Sequence, residues 1–129
     1  MRYMLLVHHD ELAWSRVSEA EQRKANDDSV EVARQLNAGG QYLAAAPLHA
    51  TSTATSVRVR DGKRLVTDGP FAETREQLAG YFLIEVRDLD EAVRIAARIP
   101  PARWGTVEVR AVMEISGLPA EKPPQRPSR

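Results

Sequence analysis

An α+β fold is what this sequence predicts, and three observations carry it. Short apolar runs with strand character alternate with two stretches of helical character, each opened by a capping signal. These elements fall in the order strand, helix, strand, hairpin, strand, helix, strand. The chain has 129 residues, 43% of them hydrophobic and 28% charged, with the charges interleaved among apolar positions. That is one domain of ordinary size with material for a core.

The elements follow in order. Tyr3, Met4, Leu5, Leu6 and Val7 form an unbroken apolar run ended by His8-His9-Asp10, and so short a run predicts a strand buried on both faces. Residues 10–17 read as a loop with Trp14 as its large apolar anchor. Ser18-Glu19-Ala20-Glu21 fits the capping box. The helix it opens is expected to run to Ala38, with Ala25, Val30, Ala33 and Leu36 toward the core and Gly39-Gly40 as a left-handed stop. Residues 41–46 read as a strand stopped by Pro47, and 48–55 as a connection. Ser56-Val57-Arg58-Val59-Arg60 alternates like a half-exposed strand. Asp61-Gly62 is a strong hairpin signal because both positions tolerate positive φ, so 63–67 pairs back.

Asp68-Gly69-Pro70-Phe71 then breaks the chain: Pro70 fixes its own φ and pushes Gly69 away from helix. Residues 80–86 are apolar nearly throughout and predict a central strand. Asp88-Leu89-Asp90-Glu91 is a second capping box, followed at helical spacing by Leu89, Ala92, Val93, Ala96 and Ile99 and ended by Pro100-Pro101. Residues 107–115 alternate as a last strand with one wet face. The domain is therefore expected over 1–115. Residues 116–129, rich in Pro, Gly, Ser and charge, are expected to be a disordered tail. Without the hairpin the order is βαββαβ, the ferredoxin-like pattern. Two helices on one face leave the other face open, and a second copy covers it most simply, so a homodimer is expected.

Composition excludes several functions. Lys plus Arg and Asp plus Glu are 18 each, giving a formal net charge of zero, so the electrostatic footprint of a nucleic-acid binder is missing. Without cysteine there is no disulfide, thiolate nucleophile or thiolate metal site. No run approaches the ~20 apolar residues of a membrane helix, and the first residues lack a signal-peptide pattern, so the expected compartment is the cytoplasm.

Three stretches carry a family resemblance. Met1-Arg2-Tyr3-Met4-Leu5-Leu6, residues 53–63 around Val57-Arg58-Val59-Arg60-Asp61-Gly62, and Thr67-Asp68-Gly69-Pro70-Phe71-Ala72-Glu73-Thr74-Arg75-Glu76-Gln77-Leu78 resemble the YCII-related proteins, in the branch known for its Asp-Gly-Pro-Phe (DGPF) motif. The likeness spans 1–115. It implies a ferredoxin-like chain that dimerises into an α/β barrel, and it implies little about activity. Some members lie near genes for alternative sigma factors, a distant relative is a dehydrochlorinase of a chlorinated hydroquinone, and a His–Asp pair is the proposed active site. Counted back from Gly40, the histidine position of that pair falls on Ser29, and serine does not carry protons near neutral pH as imidazole does. The motif aspartate is Asp68.

The remaining candidates come from residue chemistry. Asp68 before Gly-Pro is either a general base or ligand anchor, or an Asx-turn that bonds its own backbone. His8 and His9 point to opposite faces of their strand, so at most one faces a given cavity and the two do not converge on one metal ion. His49 is a loop histidine that can reach the same cavity. Arg75 is placed to clamp an anionic ligand or to form an ion pair. Trp14 reads as a lid or interface anchor, and Phe71 as core or dimer contact. Two functions follow: a cofactor-free lyase or isomerase on a small, aromatic molecule, with Asp68 as base assisted by His8 or His9, or a non-catalytic module binding a small ligand or protein and linked to transcriptional control. No cofactor or metal is implied.

Overall fold

The structure, a computed structural model, describes residues 1–121. A four-stranded antiparallel sheet is built from β1 (Arg2–His9), β2 (Tyr42–Pro47), β5 (Gln77–Glu85) and β6 (Thr106–Ala111), in the order β2-β5-β1-β6. This is the strand order of a ferredoxin-like sheet. Between β2 and β5, strands β3 (Thr55–Arg60) and β4 (Lys63–Asp68) pair only with each other, as a separate two-stranded ladder. The helices are α1 (Glu11–Ser15), α2 (Glu19–Ala38) and α3 (Leu89–Ala96), with short 3-10 turns at Thr51–Thr53 and Pro100–Arg103.

Local chemistry sets the boundaries. Ser18 accepts from the Glu21 N–H at 3.2 Å and starts α2. Its end is a Schellman motif: Gln41 N–H reaches Leu36 O at 2.9 Å, Gly40 N–H reaches Asn37 O at 3.2 Å, and Gly40 takes φ 76°. Asp61 and Gly62 have φ of 52° and 72°, the pair of positive values a type I′ hairpin turn needs. Asp88 caps α3 through the Glu91 N–H at 2.9 Å. The reciprocal half of this box differs from expectation. The Glu91 carboxylate accepts from the Arg87 N–H and guanidinium at 3.0 and 2.9 Å and from the Gln41 amide at 2.6 Å. The bonds from the Arg87 backbone, the Arg87 guanidinium and Gln41 hold its carboxyl at about 2.

The core lies between the helices and one face of the sheet. Leu5, Leu36, Ile84 and Ile99 are fully buried there, with Tyr3, Val7, Phe82, Val32 and Ile95 around them. The residues of β1 alternate between buried and half-buried. The expectation of a strand buried on both faces is therefore corrected for the single chain: Met4 and Leu6, with Tyr81 and Leu83 of β5, lie half-buried on a face that no helix of the described residues packs against. Residues 10–17, expected as a loop, contain α1, because Asp10 accepts from the Leu12 and Ala13 N–H groups and nucleates a turn. On α2 the core contact is Val32 with Leu36, whereas Val30 is half exposed. Likewise Leu89 and Val93 of α3 are exposed, and Ala92, Ile95 and Ala96 face inward. The last strand ends at Ala111, leaving Met113 and Ile115 exposed. Of the expected tail, residues 116–121 are exposed and Glu121 pairs with Arg2 at 2.7 Å. Residues 122–129 lie outside the described residues.

Two stability predictions follow from this packing. Leu36→Ala should cost about 2–5 kcal/mol in chemical denaturation, by transfer and cavity terms, whereas Leu12→Ala, at a position 62% exposed, should cost within about 0.5 kcal/mol. Glu91 should also leave a signature in acid. Its folded carboxyl sits at about 2 against 4.5 for an unperturbed glutamate. The unfolded chain therefore takes the proton first, and the stability this group contributes is complete above 4.5 and declines as pH falls toward 2. Denaturation midpoints of Glu91→Gln across that range should depend less steeply on pH than those of the wild type.

Candidate functional site

A cavity of about 840 Å³ lies between the first half of α2, the ends of β1 and β2, the start of β5 and the connection after Pro47. Its size falls within the range of small-molecule sites. The antiparallel register positions its histidine. Odd-numbered residues of β1 face the helices, so His9 points into the cavity while His8 points to the opposite face. There the His8 Nε2 lies 3.3 Å from Glu108 Oε1, and Arg110 donates to the second Glu108 oxygen at 2.5 Å. The Arg110 contact, with a smaller contribution from His8, holds the Glu108 carboxyl below its usual range.

Two glycines let the cavity wall close. A β-carbon on Gly105 would fall 2.1 Å from the His8 carbonyl oxygen and 3.1 Å from the Cα of His9. Only a glycine allows the chain after the 3-10 turn Pro100–Arg103 to run this close to the end of β1. Gly80, which lines the cavity, similarly approaches the Ala46 carbonyl, where a β-carbon would stand at 2.8 Å. A register shift in the β1–β5 ladder between Val7 and His8 sits beside it.

Three aromatic rings run in sequence beside the cavity. The His9 ring lies 5.4 Å from Trp14, tilted by 32°. Trp14 stacks on Trp104 at 5.8 Å, 12° from parallel. Burial against this wall lowers the His9 pKa from 6.5, and the nearby carboxylates Glu11, Asp10 and Glu76 oppose part of that shift. His9 is accordingly a neutral imidazole at pH 7, able to accept a proton. Glu11 is occupied otherwise: its two oxygens accept from the Thr51 N–H and hydroxyl at 2.8 Å each, which ties α1 to the connection carrying His49.

Of the residues singled out by sequence, His9, Trp14, Ser29 and His49 line this one cavity. Ser29 turns its hydroxyl back onto the Ala25 carbonyl at 3.0 Å. His49 stands at the exposed rim. Asp68 and Arg75 are elsewhere. Asp68 ends β4, is exposed, and makes no side-chain hydrogen bond or ion pair among the described residues. The Asx-turn expected of it does not form; Gly69 holds the turn instead, by its N–H to Ala54 O at 2.7 Å and by its carbonyl to the Ser56 hydroxyl at 2.8 Å. Arg75 is exposed, and Phe71 is 80% exposed. The segment after Thr74 forms bends before β5 begins at Gln77. Sequence reasoning missed Trp104, Asn26, Tyr42 and Glu11 as cavity residues. Only Trp104 offered a signal, as one of two tryptophans in the chain. Among the described residues no three His, Asp or Glu side chains gather as a metal-binding group, and no helix is long and apolar enough to cross a membrane.

Comparison with known sequences places the chain. The profile of the YCII-related domain matches residues 1–116. An uncharacterised protein of Rhizobium meliloti (strain 1021) is 35% identical over 128 residues, covering 99% of this chain and all of that protein.

Two consequences of the site geometry are measurable. Gly105→Ala should destabilise the fold by about 1–3 kcal/mol in urea denaturation, because its β-carbon meets backbone that cannot yield cheaply. The His9 imidazole gives a pH dependence of the same sign as that of Glu91, although the cause is burial of a base and not bonding of a carboxylate. Its folded pKa lies below 6.5, so as pH falls the unfolded chain protonates first. Its contribution to stability is complete above 6.5 and is lost as pH falls through 6.5 toward the folded value. His9→Gln should lose less stability than the wild type between pH 7 and pH 5, measured by chemical denaturation.

Proposed function

Since this chain belongs to the YCII-related domain family, a family of unknown function, we propose that it is a cofactor-free lyase or isomerase acting on a small aromatic molecule in the cavity between α2 and the sheet. The observation that carries this reading is the neutral imidazole of His9 held against Trp14 inside a cavity of about 840 Å³. Trp14 and Trp104 give the cavity an aromatic wall against which a planar ring packs, and His9 removes a proton from that ring's substituent and returns it elsewhere. In this reading His9 replaces Asp68 as the base. Asp68, exposed at the foot of the hairpin, stays a secondary candidate whose contribution depends on what covers the hairpin.

The open face of the sheet supports the homodimer as part of the same proposal. Met4, Leu6, Tyr81 and Leu83 form an apolar patch with no helix over it among the described residues, and a second copy brings the same patch to it through a two-fold axis. The β3–β4 ladder supports it too: an isolated hairpin is marginal by itself, and Val57, Val59 and Val66 are all more than half exposed.

One observation favours the non-catalytic module. Ser29 stands where the family resemblance expects the helical histidine, and its hydroxyl is bonded to its own helix. The two readings separate in one experiment. Aromatic fragments that perturb the Trp14 indole N–H in NMR are incubated with the protein in D₂O, and exchange or loss of their acidic C–H protons is followed. Catalysis requires exchange by the wild type that falls by about 10²–10⁴-fold in His9→Gln, the range for general acid–base catalysis. Binding without any accelerated exchange establishes the module instead. For the assembly, Leu6→Asp should convert a dimer to a monomer in analytical ultracentrifugation; a wild type that is already monomeric at micromolar concentration refutes the dimer.

A further inference from the structure

The polar side chains of the cavity fall into two groups. Glu11 is bound to Thr51, Ser29 to the Ala25 carbonyl, Ser15 to the Leu12 carbonyl, and the Gln22 amide to the carbonyls of Trp14 and Val17. These groups support the walls. His9, Asn26, Tyr42 and His49 make no side-chain hydrogen bond to another described residue and are free for a ligand. The free set is two imidazoles, a carboxamide and a phenol, all able to bond without full charge.

Charge is distributed differently just outside. No lysine or arginine lines the cavity among the described residues, and Glu11, its one carboxylate, is already satisfied. The cations nearby, Lys24 and Arg103, line a smaller cleft of about 300 Å³ that shares the Trp14 and Trp104 side chains. Lys24 is paired there with Asp28 at 2.9 Å. A carboxylate or phosphate entering the larger cavity would lose its hydration without meeting a counter-charge, and an ammonium would find in the lining only a carboxylate already bonded to Thr51, with Asp10 and Glu76 outside it bonded to the α1 N–H groups and to Thr106. The apolar remainder of the wall, with Ala33, Ala45, Val30 and Leu48, rewards a molecule with little polar surface.

We propose that the cavity selects an uncharged aromatic molecule bearing few hydrogen-bonding groups and discriminates against aromatic anions and cations of the same size. This rests on the reading of the cavity as the ligand site and narrows it to a charge class. His9, Asn26 and Tyr42 supply the polar contacts, and Trp14 with Trp104 supplies the aromatic wall.

The two tryptophans are the only ones in the chain and both line the cavity, so their two indole N–H signals report on it directly. The full-length ¹⁵N-labelled protein is titrated at pH 7.5 with benzyl alcohol, phenylacetate and benzylammonium, matched in ring and differing in charge. Benzyl alcohol is expected to shift the Trp14 indole signal with a Kd at least about tenfold below those of both ions, a factor equal to about 1.4 kcal/mol. The variant Asn26→Lys, at an exposed helical position, should improve phenylacetate binding and narrow or reverse that gap. Phenylacetate or benzylammonium binding the wild type as tightly as benzyl alcohol overturns the charge selection while leaving the cavity as a ligand site. No shift of either indole with any of the three probes overturns the cavity reading, and the selection with it.

Discussion

The structure depends on one constraint: β1 is paired on both edges, with β5 on one side and β6 on the other, both antiparallel. Pairing on both edges fixes the register of the strand, and the register fixes which side chains meet the helices. Tyr3, Leu5 and Val7 go inward to Leu36 and Ile95, and the same alternation, carried to the end of the strand, delivers His9 to the helix side. A slip by one residue would put His8 into the cavity and Leu5 onto the open face. Core and site are therefore set by the same hydrogen-bond ladder.

The end of β1 is also where regular packing gives way. Gly105 comes so near the His8 carbonyl that no side chain fits between them, Gly80 does the same beside Ala46, and the ladder shifts register between Val7 and His8. These departures from a regular sheet cluster around the space between α2 and β5. The helix contributes small residues there, Ala25, Ser29 and Ala33, so the helix layer and sheet do not close completely. The cavity exists because α2 is built from small and polar residues over its first half and from core residues, Val32 and Leu36, over its second.

Much of the fold was legible because its signals are local. Asp61-Gly62, Ser18 with Glu21, Asp88 and Gly40 each act within a few residues, and each forms the turn or cap its chemistry predicts. What was not legible depended on tertiary partners. Periodicity alone did not separate Val30 from Val32 on a helix of mixed polarity, nor Val93 from Ile95 on α3, because those choices are made by the sheet beneath. The short helix α1 is too brief to show a period, and its only signal is the Asp10 cap. For the site, sequence parity separated His8 from His9 correctly. The DGPF turn, conspicuous in sequence, stands apart from this cavity, since a motif says that a backbone position is special without saying which space its side chain enters. Asn26 and Tyr42 offered nothing in sequence, because they become site residues only when α2 and β2 are brought to the same cavity.

The central claim is that His9 is a neutral imidazole inside a ligand cavity. The most direct measurement is the NMR titration of the His9 ring carbon, assigned by comparison with His9→Gln. The account predicts a midpoint below the 6.5 of an unperturbed imidazole, moving further down when a neutral aromatic probe fills the cavity and excludes water. A midpoint at or above that value, unmoved by such a probe, would contradict it.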